Sequence, residues 1–443
     1  MNRAYRHSCW ARMQRGALAG ILVSAGICVT AKRPWAMARD SQAVSADQKE
    51  PIVDRRAFGH HGDVAFISRG TLWDLDGTTG KLTKVAGAKD HPSDPQIAPN
   101  GRWLSYALKS SEVWVARANG ASPHLVGMGG PIRWLSHDKL AIGSVMWDVS
   151  NTGVPRRVGM LPRDLVAWNQ EGNRFAFESR SLVISYARRS VGADRLEISG
   201  SLRGKRVTWY SATVSFSRSL GAQGNFIDMV MVLPDQEGVL FTLDPYMSAS
   251  VAADGLGLYE LRSAGGTPAR LGVTVGNTVT IGPQGSFSFT SGAGRYAWSH
   301  KTVVICAARV GRCARVPSPK GKLSLDPEWS TSAGTLAFIE AMPMAVASFS
   351  QRVLERWYSS HTLWVLRSGA HSASEVPGTQ GASVPVWAAD GKSLMYVADD
   401  SLWLLPSLSG RPVRIESPLF DINAWPSYYG QISWSSQFAW SSS

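Results

Sequence analysis

The stretch Asp94-Pro-Gln-Ile-Ala-Pro-Asn-Gly-Arg-Trp-Leu-Ser-Tyr106, continued by Glu112-Val-Trp-Val-Ala116, Asn119-Gly120 and Pro123-His-Leu-Val126, decides how this chain folds. Short apolar runs alternate with turn residues, so it reads strand, turn, strand, loop, strand, turn, strand. Asn100-Gly101, like Asp390-Gly391, supplies the positive backbone angles of a tight hairpin. Four antiparallel strands joined by hairpins make one propeller blade, whose faces are buried by stacking on neighbouring blades.

The frame recurs along the chain. A tryptophan closes a first run and a second β-type run follows. Pro131-Ile-Arg-Trp134 precedes Lys139-Leu-Ala-Ile142, and Leu165-Val-Ala-Trp168 precedes Arg174-Phe-Ala-Phe177. Asp326-Pro-Glu-Trp329 precedes Thr335-Leu-Ala-Phe338, and Val384-Pro-Val-Trp387 precedes Ser393-Leu-Met-Tyr396. Gln431-Ile-Ser-Trp434 precedes Gln437-Phe-Ala-Trp440 at the C-terminus. Third strands are marked by Leu72-Trp73-Asp74, Val113-Trp114-Val115, Met146-Trp147-Asp148, Leu363-Trp364-Val365 and Leu402-Trp403-Leu404. Leu182-Val183-Ile184, Leu258-Tyr259-Glu260 and Val303-Val304-Ile305 are less regular equivalents. Self-similarity at this spacing means a repeat architecture. The expectation is an all-β propeller of four-stranded antiparallel blades, eight in number with seven as the alternative. Asp63-Val-Ala-Phe-Ile67 lacks a clear first strand, and no third or fourth strand is read after the C-terminal copy. The two ends are therefore expected to share one blade, the C-terminal strand closing the ring and removing its open edges.

The apolar frames Asp94 to Val126 and Val386-Trp-Ala-Ala-Asp-Gly-Lys-Ser-Leu-Met-Tyr-Val397 with Ser401-Leu-Trp-Leu-Leu405 resemble the WD40-like β-propeller repeat of the TolB family. The resemblance covers roughly 58–440 and is weaker over the central blades. It implies a propeller scaffold of the cell envelope, while the repeat itself hosts many unrelated functions.

Domain organisation follows from composition. Residues 1–38 hold Arg3, Arg6, Arg12, Arg15, Lys32 and Arg33 but no acid, and the apolar run Gly16–Ala31 leads to Ala36-Met-Ala38. That is the pattern of a secretory signal. The run is shorter than the roughly 20 residues a spanning helix needs. A cleaved signal and export to the periplasm, cell surface or medium are expected, with an uncleaved membrane anchor as the alternative. Residues 39–57 read as a polar linker and 58–443 as a single propeller domain, with insertions near 190–224 and 341–360. The second insertion contains Phe349-Ser-Gln-Arg-Val-Leu-Glu-Arg-Trp-Tyr358, the best candidate for a short helix.

Charge excludes one class of partner. The formal net charge is +13, but without residues 1–38 the balance is 40 basic against 33 acidic side chains, spread along the chain. A dispersed excess of this size is no nucleic-acid footprint. Cys306 and Cys313 lie in two β-runs joined through Gly311, and an even pair in an exported protein favours a disulfide over free thiols or zinc.

Catalytic signals are sparse. A hydrolase partner domain would need a Gly-x-Ser-x-Gly elbow, which is absent. Asp74-Leu-Asp76-Gly77 opens like a calcium loop but continues as a hairpin turn, and the histidines are scattered. No catalytic residue, metal or cofactor is assigned. Most tryptophans belong to blade packing because they recur in the frame. Trp209, Tyr210, Trp357, Tyr358, Trp425, Tyr428 and Tyr429 fall outside it and are the candidates for contacts with a partner. The leading expectation is a monomeric, non-enzymatic scaffold binding a protein or envelope component. The alternative is a propeller enzyme acting on peptide or polysaccharide, in which carboxylates and histidines converge at one mouth of the ring.

Overall fold

In the computed structural model, the meander read from the sequence appears as strands Ser93–Ile97, Trp103–Ala107, Glu112–Arg117 and His124–Met128, hydrogen-bonded in that order. The described residues run from 50 to 442, excepting 110–111, 129–131, 143–144, 151–153, 161–181, 191–192, 203–204, 218–220, 234–237, 247, 276–277, 308–311, 331, 346–350 and 420–435. Residues 53–443 form one compact unit. The signal and most of the linker lie outside the described residues, as do Trp168, Phe177 and Trp434.

The same meander is built again and again. Ile132–Trp134 to Arg156–Met160, Leu182–Ser190 to Gly221–Gly224, Leu323–Ser330 to Ser374–Glu375, and Ser383–Trp387 to Val413–Ser417 are antiparallel four-strand runs. An eight-stranded sheet contains two more, Phe226–Val232 to Ala269–Thr274 and Thr280–Ile281 to Cys313–Arg315. First strands lie beside one another from sheet to sheet: Ser93–Ile97 touches Ile132–Trp134, and Leu323–Ser330 touches Ser383–Trp387. This all-β arrangement of repeated antiparallel sheets is propeller-like.

The frame's residues explain why the units join. Asp94, Asp326 and Val384 precede proline and have φ of 54°, 47° and 48°. Each first strand slips register there, at Ser93/Gln96, Leu325/Glu328 and Ser383/Val386. Proline has no N–H to give the ladder, so the strand bulges and exposes the next carbonyl. The following sheet uses it. Trp134 Nε1 donates to Gln96 O at 3.1 Å, and Trp387 Nε1 donates to Glu328 O at 3.1 Å. In four of the sheets, an aromatic on the second strand faces one on the third: Phe66 with Trp73, Tyr106 with Trp114, Phe338 with Trp364, and Tyr396 with Trp403. Such cross-strand pairs stabilise a sheet directly.

The C-terminal strand Phe438–Ser441 pairs with Asp63–Phe66 and makes a four-stranded sheet with Thr71–Asp76 and Leu82–Ala86. Its place corrects one detail of the sequence reading. The frame places Gln437-Phe-Ala-Trp440 as the second run after Trp434, yet Phe438–Ser441 occupies the first-strand position, beside Ser93–Ile97. Leu182-Val183-Ile184 is a second correction. It begins the first strand of its sheet, because its only described partner is Ala193–Leu202. The insertion expected near 190–224 supplies the remaining strands of that same sheet, Ala193–Leu202, Lys205–Ser217 and Gly221–Gly224.

Cys306 and Cys313 face each other in register across a hairpin and are disulfide-bonded, with S–S of 2.03 Å. The stretch 349–358 is helical over Gln351–Tyr358. No helix among the described residues is long and apolar enough to cross a membrane.

Candidate functional site

The connectors between second and third strands differ sharply in length. Residues 69–70 and 399–400 are two-residue links, whereas 245–255, 292–301 and 342–361 comprise 11, 10 and 20 residues. The three long ones come from consecutive four-strand units and lock onto each other. Arg295 Nε donates to Asp254 Oδ1 at 2.6 Å, its Nη2 to Asp254 Oδ2 and to Ser250 Oγ at 3.0 Å. Gly294 N–H donates to Asp254 O at 2.8 Å, and Met344 N–H to Trp298 O at 3.1 Å. Lys301, only 3 % exposed, donates Nζ to the carbonyls of Gly294, Ala293 and Ser299 at 2.6, 3.2 and 3.3 Å. Burial draws its pKa down to about 8. Three acceptors satisfy the three protons of one ammonium, so Lys301 acts as an internal clamp for its connector.

The helix Gln351–Tyr358 sits within the longest connector and buries Leu354 and Trp357 among Trp298, Trp387 and Tyr396. Trp298 meets Trp357 edge-on at 6.0 Å, and Tyr296 stacks on Trp298 at 5.1 Å. The helix ends in hydrogen bonds from Ser360 N–H to Trp357 O and from His361 N–H to Tyr358 O, both 2.9 Å. On its outer side Glu355 is exposed, as are Asp399 and Asp400 in the short connector of the next sheet. Tyr246 and Met342 add exposed apolar surface on the long connectors.

Ionisable groups gather at this end. Tyr358 lies within electrostatic reach of Asp326 and Asp400, and desolvation followed by those two charges pushes its pKa up. Asp326 is raised to about 6 by desolvation, offset in part by a hydrogen bond from Val384 N–H. Asp400 is raised by desolvation among the surrounding loops and by Asp399 and Glu355, although it still reaches solvent. Sequence reasoning placed Asp326 in the repeat frame and did not single out Asp399-Asp400. The available signal was a doubled acid in a turn where Asp63–Ser68 is followed by Arg69-Gly70.

The aromatic candidates separate. Trp357, 2 % exposed, is core beneath the platform. Trp209, 9 % exposed, packs with Ile198, Val239, Phe241 and Leu261. Both indoles are thus part of the hydrophobic core. Tyr210 is half-buried against Phe241 at 4.7 Å, and Tyr358 is half-buried beside the exposed acids. Trp425, Tyr428 and Tyr429 lie outside the described residues.

Elsewhere, Asp74, Glu340 and Glu416 are buried carboxyls, each with an oxygen lacking a hydrogen-bond partner. Burial raises them to about 8, 7 and 8. All three lie on strands, within Thr71–Asp76, Thr335–Ala341 and Val413–Ser417. Asp76 accepts from Thr78 N–H, Thr79 N–H and Thr79 Oγ1 at 2.7, 3.0 and 2.6 Å, so its carboxylate serves the turn. Among the described residues no three of His, Cys, Asp and Glu are grouped to hold a metal ion.

No family model matches the chain, and no curated protein matches it. Similar solved structures include TolB from Acinetobacter baumannii, 13 % identical with a TM-score of 0.37, covering 86 % of this chain and 67 % of that one. Another is a protein assigned as TolB from Agrobacterium tumefaciens, 12 % identical with a TM-score of 0.33, covering 81 % and 88 %.

Proposed function

We propose that this chain is an exported, non-enzymatic propeller of eight blades, closed by its C-terminal strand, that binds a protein or envelope component. The binding surface is the platform of the three long connectors, and the monomer presents it as a preformed face. What supports this is the mutual fastening of 245–255, 292–301 and 342–361: Arg295, Asp254, Gly294, Met344 and Trp298 tie them together before any partner arrives. A surface ordered in advance spends little of its binding energy on loop ordering. Glu355, Asp399 and Asp400 form its exposed acidic edge, suited to steering basic groups of a partner. Tyr358 supplies an aromatic contact beside them. Export rests on the signal-like residues 1–38.

Capture from envelope extract is the test. The wild-type chain is expected to retain a partner that Glu355→Lys with Asp400→Lys loses at equal folded concentration. Equal recovery by both proteins would reject the platform as the binding face.

One observation favours a second reading. Asp326, Tyr358 and Asp400 act on each other electrostatically, and converging groups with raised pKa values mark catalytic sites as well as structural ones. On that reading the chain hydrolyses peptide or polysaccharide. Hydrolysis of envelope polymers that Asp326→Asn abolishes without loss of fold would establish it over the binder.

A further inference from the structure

His361 ends the long connector and is 1 % exposed. Its ring lies perpendicular to Trp357 at 4.3 Å and tilted against Tyr358 at 5.0 Å. Nδ1 is 3.2 Å from Ala382 O, with Ser383 Oγ at 3.4 Å. A carbonyl can only accept, so Nδ1 carries the proton of the neutral ring, and Nε2 keeps a lone pair without a partner. The same residue holds the main chain in place: His361 N–H donates to Tyr358 O, and its own carbonyl accepts from Gly381 N–H at 2.8 Å. The side chain, through Ala382 O, and the main chain, through Tyr358 O and Gly381 N–H, together fasten the end of the helix Gln351–Tyr358 to the edge of the next sheet.

We propose that His361 is a pH-sensitive latch for the platform, holding the helix-bearing connector when neutral and releasing it when protonated. This rests on the reading of that platform as the binding surface, and it adds regulation to it. The chemistry is simple. A second proton on Nε2 would place a new N–H where no acceptor faces it, and a charge in a pocket of Trp357, Tyr358 and backbone.

The neighbours offer no anion to compensate directly. Tyr358 is the titratable group in ring contact. Glu355 on the helix, Asp326 on the first strand of the same sheet and Asp400 on the next connector act through Tyr358 or Asp400 instead. From the adjoining connector, Arg295 is bound to Asp254 and Lys301 to loop carbonyls. Burial holds the ring's conjugate acid down to about 3, against 6.5 in the released state. The sign follows. Between those values the released form binds the proton more readily, so the latch is fully closed above pH 6.5 and weakens as pH falls. Each unit below 6.5 reduces the ratio of held to released connector about tenfold. Asp326 titrates the opposite way, since its raised pKa favours the folded form on acidification. Comparison with a variant at His361 separates the two.

Amide hydrogen exchange of the full chain, read on peptides spanning 351–361 and corrected for intrinsic rates, tests the latch. Protection there is expected to fall about tenfold per unit from pH 6.5 to 5 in the wild type, while peptides from Trp103–Ala107 change little. His361→Gln keeps a donor for Ala382 O and cannot gain a charge, so its profile is expected to be flat. Parallel profiles in wild type and variant would overturn the proposal. Should the variant fail to fold, the wild-type imidazole is followed by NMR. A titration near 6.5 with unchanged helix protection overturns the latch, and a strongly depressed one accompanied by helix release supports it. Loss of partner capture at pH 7.5 would sink the binding reading alone, because the exchange profile needs no partner.

Discussion

Trp134 and Trp387 show what one residue of the repeat accomplishes. Each ring fills the junction between sheets, while its N–H reaches the carbonyl that a proline-induced bulge turns outward in the preceding sheet. Trp387→Phe keeps most of the ring and forfeits the bond to Glu328 O. It is expected to lower stability by about 1 kcal/mol in urea unfolding, since a part-buried hydrogen bond between sheets is lost. An unchanged midpoint would mean that packing alone matters there. Glu416 behaves differently because it is fully buried and its pKa is raised to about 8, first by burial and against the pull of Ser68 and Arg69. Ser68 directs its hydroxyl to Pro418 O at 2.6 Å, so both carboxyl oxygens are left without partners. A raised folded-state pKa gives stability that is complete below 4.5 and lost as pH climbs toward 8. Glu416→Gln should therefore remove a loss of about 1.4 kcal/mol per pH unit over that window. Melting curves at pH 4.5 and 8 check it: a gain at the higher pH alone is expected. The sequence carried the tryptophan pattern plainly but gave no hint of Glu416, because burial of a lone acid depends on what distant strands place around it.

Among the elements, strands were far more legible than connectors. Alternation, the Asn100-Gly101 and Asp390-Gly391 turns and the third-strand aromatics located most β-runs, since each signal is local. Both turns form with the glycine at positive φ, 71° and 68°. The insertion near 341–360 stands out because it interrupts the repeat spacing, and its candidate helix forms over Gln351–Tyr358. The interlocking of that insertion with 245–255 and 292–301 was not visible, because Arg295 and Asp254 are 41 positions apart and meet only after their sheets stack. The misplacement of 437–440 had a similar cause. A first and a second strand share the same apolar alternation, and which one a run becomes is set by its partner. The hairpin closed by Cys306 and Cys313 carries an element-scale prediction. Replacing both by serine opens a short loop and is expected to cost about 2 kcal/mol. Calorimetry with and without reductant measures it, and a reductant-insensitive wild type would contradict it.

For the whole molecule, the C-terminal strand is the decisive contact. Phe438, 5 % exposed, packs with Val64, Phe66, Leu402 and Leu404, residues from opposite ends of the chain. Trp440 Nε1 donates to His61 O at 2.7 Å across 379 positions. Deleting 437–443 removes this strand, and the loss of Phe438 burial alone is expected to cost about 3–5 kcal/mol. Thermal unfolding of the truncated chain checks it, and an unchanged Tm would show that the ends do not depend on each other.

That contact also means that position 63 and position 441 stand side by side, so the order in which the chain visits its sheets is a matter of history more than of architecture. A gene rearranged to begin at the Asp399-Asp400 link, with a short linker spanning the old ends, should give a protein of the same shape. Cooperative unfolding of such a permutant at the native Tm would show that the sheets, and not the order of their connections, carry the fold.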